Sequence, residues 1–216
     1  VECAPSPAAK NAGGLLAKGD TAAALAVLKP AVVAAEPFGD LPGSPWPDLA
    51  VVYAQSLLAA GDDAGATLVI NKLSKATSTA IQTSASALGA LCAALKGDHE
   101  KAISLATQAL QPRENPSATA TASIARGLVL LARKNYGESL LGFLEQPVFA
   151  PDATALAAMA QFGAAECYAG MDDMDRAIST LEELLKAQPS GPASKPAKTL
   201  LEKCRRRKQA LEDSKR

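Results

Sequence analysis

The chain has 216 residues, 48% of them hydrophobic but only 4% aromatic, and a formal net charge of zero. That length supports a packed core of one or two domains, and no apolar run reaches the roughly 18 residues of a membrane-spanning helix, so a soluble chain is expected. The charge is unevenly spread: residues 195–216 hold nine basic and three acidic side chains, leaving the rest net acidic. About a fifth of the residues are alanine, and strand-forming residues never alternate over a useful length; helices packed through small side chains are therefore expected. The opening Val1-Glu2-Cys3-Ala4-Pro5 lacks methionine, which is compatible with export and removal of an N-terminal signal; the compartment stays open.

In chain order, five short segments share one pattern. They begin at Gly19-Asp20, Gly61-Asp62, Gly97-Asp98, Lys134-Asn135 and Asp172-Asp173, each followed a few positions later by a small residue: Ala24, Ala66, Ala102, Ser139 and Ala177. The small residues lie 42, 36, 37 and 38 positions apart, a spacing that signifies stacked supersecondary units. A glycine can end one helix in the left-handed region, and Asp or Asn can cap the next by accepting its free N–H groups. Each segment is thus the turn of a helix hairpin, and the small residue lets the two helices cross closely. Helices are expected over residues 49–60 and 174–187, with Pro112, Pro147 and Pro189 each stopping a second helix. Residues 37–47, rich in proline and glycine, form an irregular loop onto which Trp46 and Phe38 are expected to tuck.

The segment 164–189 resembles the tetratricopeptide repeat family, with Tyr168, Ala177, Leu181, Leu184 and Pro189 on that family's usual slots. Gly127 fits as well. The period exceeds the 34 residues of that repeat, and the bulky first-helix slots are mostly Ala, Ser, Gln or Gly. The resemblance implies an all-α, right-handed α-solenoid of about five hairpins over residues 1–193, with residues 194–216 as a basic capping helix or tail. It also implies that first helices line a concave surface, which here would present Val51, Gln55, Leu58, Leu91, Leu95, Ile124, Leu128, Leu131, Met159, Phe162 and Glu166. Such a groove is mostly apolar and suits a partner protein segment, a peptide, or a second copy of the chain.

Chemistry-bearing residues are sparse. His99 is the single histidine, and the position needed to pair it across one helical turn is Ile103, so neither a metal site nor a histidine-dependent triad is expected. Asp172, Asp173 and Asp175 read as helix-capping residues, lacking the glycine and distal glutamate of a calcium loop. Cys92 and Cys167 occupy equivalent first-helix slots, ten positions before Ala102 and Ala177, and read as buried, unpaired small hydrophobes; Cys3 and Cys204 are then the accessible thiols. No nucleotide cradle or cofactor motif is present. The expected function is a non-catalytic interaction scaffold. The alternative is contact with RNA or another anionic partner through Lys203, Arg205, Arg206, Arg207 and Lys208 on a final helix over residues 195–213, although no aromatics interleave this run.

Overall fold

The computed structural model describes residues 6–39, 41, 43–111 and 115–214, which form eleven α-helices, a short 3-10 turn at Glu36–Phe38, and no strand. The helices are α1 (Pro7–Ala17), α2 (Thr21–Ala35), α3 (Trp46–Ala60), α4 (Asp63–Leu73), α5 (Thr79–Leu95), α6 (His99–Leu110), α7 (Pro116–Ala132), α8 (Tyr136–Phe149), α9 (Thr154–Gly170), α10 (Met174–Ala187) and α11 (Ser194–Asp213). Together they make an α-solenoid of five tetratricopeptide-like hairpins, α1/α2 to α9/α10, closed at its C-terminal end by α11.

All five turns fall where the repeat places them. The residue before each cap has a left-handed φ: +79° at Gly19, +81° at Gly61, +80° at Gly97, +60° at Lys134 and +64° at Asp172. The last two are not glycine, and they carry the conformation at a cost that the packed hairpins on either side sustain. Asp20, Asp62, Asp98 and Asp173 then each accept a hydrogen bond from the backbone N–H three residues on, at 2.9 to 3.3 Å. Asn135 departs from this pattern and donates to the Glu138 carboxylate at 3.0 Å. Ala24, Ala66, Ala102, Ser139 and Ala177 are fully buried at the crossings.

The two helices of a hairpin differ in burial, and the difference locates the core. Second helices bury one stripe, such as Ala102, Ala106 and Ala109 in α6 or Met174, Ala177, Leu181 and Leu184 in α10. First helices are buried on most faces: α7 buries every residue from Ala118 to Ala125. One stripe marks an outer layer, and burial on most faces an inner one. Packing confirms this, because α9 touches α1 and α3 as well as its sequence neighbours. The five first helices therefore close on one another, and Gln55 in α3 donates to Thr121 Oγ1 in α7 at 3.2 Å. Alanine and glycine dominate this inner layer because helices with neighbours on several sides need small side chains between them.

At the α7/α8 crossing the backbones nearly touch. A Cβ on Gly142 would lie 2.7 Å from the Ser123 carbonyl oxygen, whereas one on Gly137 meets nothing within 4 Å. Gly142→Ala should therefore destabilise by about 1 kcal/mol or more through overpacking, while Gly137→Ala should be neutral or stabilising by up to about 1 kcal/mol. Denaturant melts of the two variants that shift the same way would contradict this packing.

Three local expectations are corrected. Pro147 does not stop α8 but lies inside it: it is exposed, and the helix ends only two residues later, so the missing N–H and the ring cost little there. The irregular segment is shorter than residues 37–47, because α3 already begins at Trp46, with Pro45 as its cap residue and Pro47 in its first turn, where a missing N–H is harmless. Trp46 does tuck inward, at 4% exposure. The third is Cys204, which is buried beside Ala197 and Leu201 where α11 packs on α10, and so is not an accessible thiol. Pro112, Cys3 and the Phe38 side chain lie outside the described residues.

Candidate functional site

Closure of the inner helices redistributes the eleven residues expected to line a concave face. Gln55, Leu58, Leu91 and Ile124 are buried, so most of their surface joins helix to helix. Val51, Leu128, Leu131, Met159, Phe162 and Glu166 are half-buried, and Leu95 is 39% exposed. Burial pushes the Glu166 carboxyl above the usual carboxylate range.

Four of these residues meet. Leu58 at the end of α3, Leu95 at the end of α5, and Met159 and Phe162 in α9 line an apolar cavity of about 310 Å³. Its remaining wall comes from Leu16, Thr21, Thr154 and Gln188, none of which the repeat pattern marks as a groove residue. Only Gly19 and Gly191 carry a trace of that wall in the sequence, as small residues at a close approach: a Cβ on Gly19 would lie 2.9 Å from the Gly191 Cα. A second cleft of about 280 Å³ runs between α4, α5 and α6, lined by Cys92, Lys96 and Lys101.

The basic run on α11 is mostly neutralised within the chain. Arg205 pairs with Glu182 at 2.8 Å, Lys208 with Asp175 at 2.6 Å, and Arg207 with Asp172. The hydrogen bond from Lys208 to Asp175 raises its pKa. Lys203 and Arg206 have no ion pair among the described residues. The aspartates first read as caps thus divide their work: Asp173 caps α10, while Asp172 and Asp175 hold the basic helix. Exposed pairs of this kind are each worth about 0 to 1 kcal/mol, so their role is mainly to orient α11.

The thiols are buried in apolar surroundings. Cys167 donates to Ser139 Oγ at 3.2 Å, and burial pushes both its pKa and that of Cys204 up, which disfavours the thiolate a nucleophile needs. His99 is half-buried as the first residue of α6. Among the described residues, no three His, Cys, Asp or Glu side chains gather as metal ligands, and no helix is long and apolar enough to cross a membrane.

No protein-family model matches the chain, and no curated protein matches its sequence. Among solved structures, one titled "MamA RS-1 ArsTM double mutant" is similar at 17% identity and a TM-score of 0.43, over 76% of this chain and 97% of that one. The repeat architecture rests on this chain's own five turns, caps and buried small residues.

Proposed function

We propose that the chain is a non-catalytic interaction scaffold that receives apolar side chains of a partner protein's segment in the cavity between α3, α5 and α9. The observation that carries this reading is the cavity itself: it is lined by Leu58, Leu95, Met159 and Phe162, and Leu95 stands partly exposed at it. An apolar recess of this kind favours burial of apolar surface, worth about 25 cal/mol per Å². Residues 1–193 act as the binding repeat and residues 194–216 as its basic cap. Pairing of Arg205, Arg207 and Lys208 with acidic residues of the last hairpin leaves little free charge for RNA or another anionic partner.

Leu95→Asp tests the reading, because it places a carboxylate in the cavity wall at a position exposed enough to leave the fold intact. Capture of a partner from the native source should fall at least tenfold, about 1.4 kcal/mol, in low and high salt alike. Lys203→Ala/Arg206→Ala should capture as the unaltered chain does. If the second variant or high salt abolishes capture while folded Leu95→Asp retains it, the binding site is the basic helix and the partner is anionic.

A further inference from the structure

We infer that α1 is a releasable clasp over this cavity, and that a partner segment enters when the seam between α1 and the last hairpin opens. The inference rests on the cavity being the binding site. Three contacts hold the seam. Thr154 Oγ1 donates to the Gly13 carbonyl at 3.3 Å. The buried Gln188 side chain donates to the Leu16 carbonyl at 2.9 Å. The Gly19 and Gly191 backbones abut with no room for a side chain between them.

These contacts are few, and the helix they secure is lightly held. α1 buries only Ala12 and Leu16, whereas α7 buries ten residues. Segments with few buried apolar contacts open locally at a fraction of the global unfolding free energy. The connection from α2 to α3 is the longest between consecutive helices in the chain, so the first hairpin is the one least tied by its covalent neighbours.

What opens matters because the clasp is part of the site. Leu16, Thr21 and Gln188 form one wall of the cavity, and Leu16 and Gln188 are themselves joined across the seam. At about 310 Å³ the closed cavity is at the small end of the range of about 300 to 1,000 Å³ for small-molecule sites. A peptide presenting several side chains in succession needs a groove, and moving the α1 wall converts the recess into one. The closed form is then the resting state, and binding competes with the Gln188 and Thr154 contacts.

Hydrogen exchange of the full chain, without any partner, tests the opening. Amides of residues 7–17 should exchange as a unit at least tenfold faster than the interior of α7, and Gln188→Ala should accelerate them at least threefold further with α7 unchanged. Exchange of α1 at the α7 rate, or no response to Gln188→Ala, overturns the clasp. A second arm uses Gly13→Cys/Thr154→Cys, since a Cβ at Gly13 lies 3.9 Å from Thr154 Oγ1. Oxidation should slow exchange of residues 7–17 at least tenfold and reduce partner capture at least tenfold, both reversed by reductant. Equal capture by the oxidised and reduced forms overturns it. The two readings fail separately: joint exchange of α1 with α7, beside loss of capture in Leu95→Asp, removes the clasp alone. Separate opening of α1, beside normal capture by Leu95→Asp, removes the cavity site alone.

Discussion

Phe143→Ala is expected to lose about 3 to 5 kcal/mol of stability, the range for truncating a buried aromatic. Phe143 is 1% exposed and is the largest fully buried side chain among the described residues. Its ring lies against two glycines of the inner layer: a Cβ on Gly163 would come within 2.4 Å of it, and one on Gly127 within 3.3 Å. Neither glycine has a side chain that could swing into the space the ring leaves, so the cavity persists and the cost stays near the upper part of the range. The arrangement also predicts a change of sign. Gly163→Ala should destabilise the unaltered chain by overpacking, yet be neutral or stabilising in the Phe143→Ala background. Urea melts of the four chains measure this directly, and additive losses would show that the ring and Gly163 do not share the space.

Ala177→Phe is the second large effect, at the upper end of about 1 to 3 kcal/mol. Ala177 is fully buried in the first turn and a half of α10, where it packs with Ala165 of α9 in the C-terminal cluster. A phenyl group there has to separate the two helices of the last hairpin. The same substitution at exposed Glu183 should change stability by no more than about 0.5 kcal/mol. Equal thermal shifts for the two variants would remove Ala177 from the crossing point.

The hairpins were legible in the sequence because each turn needs particular residues in particular places: a left-handed position, a capping Asp or Asn, and a small residue a few positions on. Lys134 and Asp172 could be placed only through alignment with Gly19, Gly61 and Gly97, since neither residue type advertises a left-handed backbone. Pro147 shows the limit of single-residue rules, for a helix-stopping residue is tolerated where the helix is about to end anyway. Cys204 was misjudged because its helix was read mainly as charge, while Ala197, Leu201 and Cys204 form its buried stripe.

The candidate site was half legible. Leu58, Leu95, Met159 and Phe162 recur on repeat slots, and the resemblance pointed to them. Leu16, Thr21 and Gln188 could not be found that way, because they meet the others through closure of the two chain ends rather than through any periodic spacing. The same closure buries Gln55, Leu91 and Ile124. Curvature tight enough to do so follows from how closely alanine lets inner helices approach, summed over five hairpins, and no single residue announces it.

In an open solenoid each repeat meets only its neighbours, so stability is close to a sum of local terms and repeats can be added or lost at modest cost. Here hydrogen bonds join residues 141 and 172 positions apart. The entropy of closing such loops must be met before those contacts form, although it grows only as about 1.5 RT ln n. Folding can begin in any hairpin, but joining of the ends has to come last. Repeat number is fixed as well: with four hairpins α1 would not reach the final pair, and a sixth would carry that pair past it. The chain therefore has the local grammar of an extensible array and the all-or-none length of a globular domain.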